Sequence, residues 1–226
     1  MTKNTLDILN NPKYGSSKFT SKYKEQLEQD GYCLLPPDNC YWEWIGASPE
    51  KIRKIINSLL EKEGASAGSE GKEEFTVNKG KKIEQGAIRL GNLLNKNEIF
   101  SKIAAMPEII QASHSIIQDD IKLSSVLFRQ PEFNGGEQEI HIDWEPRWSQ
   151  DEGFNDIIAF LYLEDANKSN GATTVIPGTH KKLGYPCQHI NQHLKHPNEF
   201  LIEAKKGSIL ILNALTWHKG GSNKSG

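Results

Sequence analysis

A change of period near residue 120 constrains this chain more than any other feature of its sequence. Up to Ile117 the apolar residues recur at helical spacing, whereas beyond Lys122 they fall into short runs rich in β-branched and aromatic residues. In the first part, Phe19, Tyr23 and Leu27 predict a helix over residues 17–30, stopped at Gly31 and followed by the strand-like Tyr32-Cys33-Leu34-Leu35. A longer helix is predicted over residues 49–63, with Ser48 as cap, Pro49 in the first turn, Ile52, Ile55, Ile56, Leu59 and Leu60 on one face, and Gly64 as its stop. The small, charged stretch 65–72 predicts a loop, and residues 98–117 predict two short helices broken at Pro107.

The second part predicts strands at 126–128, 157–163, 173–176, 200–204, 208–212 and 215–218. Turn signals separate them at Asn134-Gly135-Gly136, Asn170-Gly171, Pro177-Gly178 and Lys206-Gly207. Helices followed by strands imply an α+β domain, with helices packed outside a mostly antiparallel sandwich or barrel.

The length of 226 residues suits a single domain, and 36% hydrophobic residues with 19 glycines allow a sizeable core. With 27 basic against 29 acidic residues and no basic-aromatic interleaving, a nucleic-acid partner is not expected. Runs such as 157–163 are far shorter than a membrane span, and the opening residues carry no export or transit pattern. Cys33, Cys40 and Cys187 form no CxxC pair, so reduced thiols in a cytoplasmic protein are expected.

The sharpest chemical feature is His141-Ile142-Asp143. Residues i and i+2 of a strand face the same way, so an imidazole and a carboxylate can share one metal, with His218, beside Trp217, as the distant third ligand. The remaining histidines read as structural: His114 in a helix, His180 in a turn near the site, and His189, His193 and His196 in a polar, solvent-facing segment. The i, i+4 spacing of His189 and His193 would fit zinc on a helix, but no Glu follows His189.

The combination of Gly135-Gly-Glu-Gln-Glu-Ile-His-Ile-Asp143, Asn170-Gly-Ala-Thr-Thr-Val-Ile-Pro-Gly-Thr-His180, Lys206-Gly207 ahead of an apolar strand, and Trp217-His218 with Asn223 closely resembles the phytanoyl-CoA dioxygenase family. The stretches Arg89-Leu-Gly-Asn-Leu-Leu94 and Phe128-Arg-Gln-Pro131, and the Gly31-Tyr32 entry, extend the resemblance over nearly the whole chain. It implies a double-stranded β-helix, the cupin-like jelly roll, of residues 122–226, buttressed by helices within 1–121. It also implies iron(II) bound by His141, Asp143 and His218, with 2-oxoglutarate and dioxygen as cosubstrates. Asp143 stands where related halogenases have a small residue, which implies hydroxylation of a small-molecule substrate. Arg89 matches a basic position near 2-oxoglutarate, and Ser125 and Phe160 match walls of its pocket. Trp144 and Trp148 read as lining the substrate entrance or as packing, with specificity in loops 144–155 and 181–198.

One departure stands out. In the family an arginine on the final strand, beyond the distal histidine, pairs with the far carboxylate of 2-oxoglutarate, a task suited to the guanidinium fork. The sequence ends at Gly226, ahead of that strand. Three expectations follow: a truncated oxygenase; Arg89 or Arg129 as substitute; or a β-barrel that keeps the triad without catalysis. A His2Asp zinc hydrolase is a further alternative, against which the order of motifs from Asn170 to His180 speaks.

Overall fold

In the computed structural model, residues 17–63 and 86–225 are described. The expected helix stop at Gly64 and the loop at 65–72 lie outside the described residues.

Among the described residues, five α-helices lie in the first half: α1 (Ser21–Asp30), α2 (Asn39–Ile45), α3 (Pro49–Glu63), α4 (Ile99–Ala104) and α5 (Pro107–Ile117). α3 has the expected bounds, and Ser48 Oγ accepts the Lys51 N–H at its start. Pro107 opens α5 as an N-terminal proline, which explains the break from α4. Helix α2 is not among the predicted elements. Asp38 caps it by accepting the Cys40 N–H, Gly46 ends it, and Tyr41 and Ile45 bury its inner face.

The strands are β1 (Tyr32–Leu35), β2 (Ala87–Leu90), β3 (Phe128–Pro131), β4 (Ile157–Leu161), β5 (Thr173–Val175), β6 (Phe200–Leu201), β7 (Ile209–Asn213) and β8 (His218–Gly220). Among the described residues they form three antiparallel sheets, ordered β1-β7-β4, β2-β3 and β6-β5-β8. Several predicted boundaries move. Residues 126–127 are not strand, because the partner β2 ends at Leu90 and the chain turns so that the Leu93 N–H bonds the Val126 carbonyl. Residues 215–217 form a turn instead of a strand. Asn213 Oδ1 accepts the Leu215 N–H, a side-chain turn that competes with the ladder, and the strand begins at His218. Strand β6 stops at Leu201; beyond it the Ile202 N–H still bonds the Thr173 carbonyl, and Ala204 forms a single bridge with Ala166.

Strand β7 is buried at every position, as its unbroken apolar run predicts for a strand covered on both faces. Alternation sends Ile209 and Ile211 toward the helices, together with Cys33, Leu35, Ile157 and Ala159. It sends Leu210 and Leu212 toward the β6-β5-β8 sheet, to meet Tyr32, Val175 and Ile202. A third cluster, Ile140, Ile176 and Trp217, lies where the chain returns to His218.

The turn joining α1 to β1 ties the helical layer to this sheet. Gly31 has φ +80°, and its carbonyl accepts from the Asn213 N–H at 2.8 Å and from Thr216 Oγ1 at 2.7 Å. A Cβ at Gly31 would overlap both Thr216 Oγ1 and the buried His180 ring. Gly31→Ala is therefore expected to lower stability in urea unfolding by about 1–3 kcal/mol from backbone strain, with the steric overlap adding to it.

Candidate metal centre

His141 and His218 face each other across a two-residue antiparallel bridge, with the His141 N–H donating to the His218 carbonyl at 2.9 Å and the reverse bond at 3.0 Å. The His-x-Asp segment is thus a single bridge and not the regular strand that was expected. The i, i+2 logic nonetheless holds: Ile140 is buried against Ile176 and Trp217, with Ile142 packed on that cluster, while His141 and Asp143 belong to the cluster of ligand atoms. The Asp143 N–H donates to the Ala214 carbonyl at 2.9 Å, which locks the segment onto the turn that leads into β8.

Both imidazoles are oriented in the same way. His141 Nδ1 meets the Glu139 carbonyl at 2.8 Å, and His218 Nδ1 meets the Thr216 carbonyl at 2.9 Å. A carbonyl only accepts, so each Nδ1 carries the proton and each Nε2 turns toward Asp143. His218 Nε2 lies 3.1 Å from Asp143 Oδ2, and His141 Nε2 lies 3.6 Å from Oδ1. The ligand atoms of all three residues fall within 4.8 Å of one another. Bonds of 2.0–2.2 Å to one ion at right angles would set such atoms about 3 Å apart, so small adjustments bring them onto a cation.

The electrostatics of the protein groups favour a metal. Burial, with the neighbouring His218 charge, pushes His141 down to about 4, leaving Nε2 unprotonated at neutral pH. Burial opposes the Asp143 carboxylate, but the hydrogen bond from His218 and the charges of His218, His141 and Arg89 outweigh it and hold the carboxyl below its ordinary range. A divalent cation would lie between His218 Nε2 and the Asp143 carboxylate, which are 3.1 Å apart. The donor set fits such an ion.

Arg89 of β2 sits directly across from Arg129 of β3. Burial lowers both guanidinium pKa values, Arg129 to about 10, while the Asp143 charge opposes the shift at Arg89; Arg129 in turn is felt at His141. One Nη of Arg129 donates to the Gly136 carbonyl at 2.9 Å. The sheet thus holds two cations within electrostatic reach of the triad. Ser125 is exposed on the irregular segment before β3, and Phe160 is half-buried on the face of β4 that packs on the inter-sheet cluster. Trp144 and Trp148 line a cleft of about 330 Å³ built mainly from residues 144–155, with Leu215.

The segment holding His189 and His193 is a 3-10 turn followed by irregular chain, because Asn191 Oδ1 accepts the His193 N–H, so no helix presents the two rings together. Asn223, singled out in the motif, clamps turns: it exchanges backbone bonds with Asn134 and Gly135, and its side-chain amide donates to the Pro131 carbonyl at 3.1 Å. Asp156 was missed by sequence reasoning. Burial, reinforced by the charge of Asp143, pushes its carboxyl up, so a second carboxylate lies near the triad.

Two histidines and one carboxylate converging on a point, carried between antiparallel sheets, are the arrangement of mononuclear non-haem oxygenases. Solved structures of that class share the fold. The alpha-ketoglutarate-dependent carbocyclase SnoK matches with a TM-score of 0.66 at 14% identity, covering 92% of this chain and 79% of its own. EctD from S. alaskensis, solved with bound Fe, matches with a TM-score of 0.65 at 16% identity, covering 93% and 73%. The chain belongs to the phytanoyl-CoA dioxygenase family, whose model matches residues 27–226. Its relatives include phytanoyl-CoA dioxygenase domain-containing protein 1 of Danio rerio, 24% identical over 97% of this chain and 74% of that protein. Ectoine dioxygenase of Bordetella bronchiseptica is 23% identical over 94% and 74%.

His180 yields a pH prediction. It is 1% exposed, its Nε2–H donates to the Glu28 carbonyl, its Nδ1 lacks a partner, and burial lowers it to about 4 from an ordinary 6.5. The unfolded chain therefore binds a proton below pH 6.5 that the folded chain refuses until about pH 4. Stability should fall as pH drops through that window, by on the order of 3 kcal/mol from His180. Urea unfolding at pH 7 and pH 4.5 should show a smaller difference in His180→Asn than in the parent chain.

Proposed function

We propose that this protein is an iron(II)- and 2-oxoglutarate-dependent dioxygenase that hydroxylates a small organic substrate, with His141, Asp143 and His218 as the iron ligands. The convergence of two imidazole Nε2 atoms and one carboxylate, in a chain of this family, carries the reading. When bound, the iron and 2-oxoglutarate supply dioxygen activation, the cosubstrate being oxidised to succinate and carbon dioxide. We also read the β1-β7-β4 and β6-β5-β8 sheets as the two walls of a double-stranded β-helix, within a single oxygenase domain.

The chain's own residues supply orientation and exclusion of water. The Glu139 and Thr216 carbonyls hold both imidazoles with Nε2 turned inward, and Ile140, Ile176 and Trp217 close the site from behind. Arg89 and Arg129 are assigned to the carboxylates of 2-oxoglutarate. Two guanidinium groups brought to neighbouring strands beside the triad suit a dicarboxylate. Phe160 and Ser125 are assigned to the walls of the same pocket. The substrate approaches through the cleft beside Trp144 and Trp148.

Anaerobic addition of ferrous iron and then 2-oxoglutarate to the full chain should produce the visible charge-transfer band of the chelate, and His141→Ala or Asp143→Ala should abolish it. A folded, iron-loaded chain that gives no band overturns the reading. Arg129→Gln and Arg89→Gln should each raise the Kd for 2-oxoglutarate at least tenfold in the same titration while leaving iron affinity within a factor of about two, the loss expected for a charge-assisted pair.

A further inference from the structure

We propose that the cleft beside Asp143 selects substrates that carry an organic cation, an ammonium or alkylated ammonium group, bound against the indoles of Trp144 and Trp148. The inference rests on the oxygenase reading in taking the bound molecule as the substrate; the binding itself does not depend on that reading.

Position is the first argument. Trp144 directly follows Asp143, and Leu215, also in the lining, directly follows Ala214, whose carbonyl accepts the Asp143 N–H. The cleft therefore opens beside the triad, and its 330 Å³ suits a small organic molecule.

The second argument is aromatic surface held open to solvent. Trp144 is 45% exposed and Trp148 is 59% exposed. The Trp148 indole is held in place. The backbone N–H of Trp148 donates to the Glu152 carboxylate at 3.2 Å, and its ring meets Tyr185 edge-on, with centroids 6.0 Å apart. The Tyr185 hydroxyl donates to Glu145 Oε2 at 2.6 Å, which fastens the loop after Lys181 across the cleft. An indole held in this way presents a preformed face to a ligand.

The sign of the charge is the third argument. The cleft is lined by the exposed Glu145 and Glu152 and by one basic residue, Arg147. Arg147 is only 7% exposed; its guanidinium lies over the Phe154 ring at 4.6 Å from the centroid and donates to the Gln150 carbonyl at 2.7 Å. Its guanidinium is thus turned into the wall, and the groups left facing solvent are indoles and carboxylates. An ammonium group gains cation–π and Coulomb attraction in such a place, whereas a carboxylate would meet repulsion.

Three near-isosteres test this on the full chain loaded with ferrous iron and 2-oxoglutarate under nitrogen: choline, neutral 3,3-dimethyl-1-butanol and anionic 3,3-dimethylbutyrate, each followed by tryptophan fluorescence. Choline should bind at least tenfold more tightly than the alcohol, and the butyrate more weakly than both. Glu145→Gln, which keeps an acceptor for the Tyr185 hydroxyl, and Trp148→Leu should each reduce the preference for choline several-fold in chains with unchanged circular dichroism. Equal binding of the three, preference for the butyrate, or no binding of any overturns the proposal. Repeating the choline series without iron or 2-oxoglutarate separates the two readings. Choline selectivity without a charge-transfer band would sink the oxygenase and keep the cation site, and a band without selectivity would do the reverse.

Discussion

Strand β7 is the constraint on which the rest of the molecule depends. It is central in its sheet and covered on both faces, so its alternate side chains are committed to two different apolar clusters. A one-residue slip would exchange the two sets, and the flanking strands β1 and β4, paired residue by residue with it, exclude that slip. The metal centre inherits this rigidity. The Asn213 turn leaves the end of β7 in a fixed direction and delivers Thr216 and His218 to their places.

The centre is built from main chain as much as from side chains. Each imidazole is steered by the carbonyl two residues before it, and the two ligand segments are joined by a reciprocal pair of backbone hydrogen bonds. Backbone groups hold their positions without the rotamer entropy that a side-chain partner would lose on ordering. The polar cluster is thereby held by the segments that also cover Ile140 and Trp217.

Much of this was legible in the sequence because the signals were local. The 3.6-residue spacing of Ile52, Ile56 and Leu59, the αL glycine after α1 and the unbroken apolar run of β7 each point to one structure. The triad was legible as a spacing and a motif order, although the His-x-Asp segment proved to be a lone bridge. What escaped depended on partners remote in sequence. Helix α2 is short and rests on the Asp38 cap, a signal available but not weighed; β2 has only four residues; and the end of the 126–128 run was set by where β2 stops. The pairing of Arg89 with Arg129, and the turning inward of Arg147 over Phe154, are properties of register and packing that no single stretch encodes.

The registers described above also order events in time. His141 meets His218, Tyr32 meets Leu212, and Ala87 meets Pro131, so the sheets and the centre are stitched from contacts far apart along the chain. Loops of that size close late and slowly, after local helices such as α3 have had time to form. A chain emerging from the ribosome would thus hold no assembled triad until β8 has been made and docked. An ion captured at that moment binds only the finished architecture and draws the last folding step toward completion by mass action.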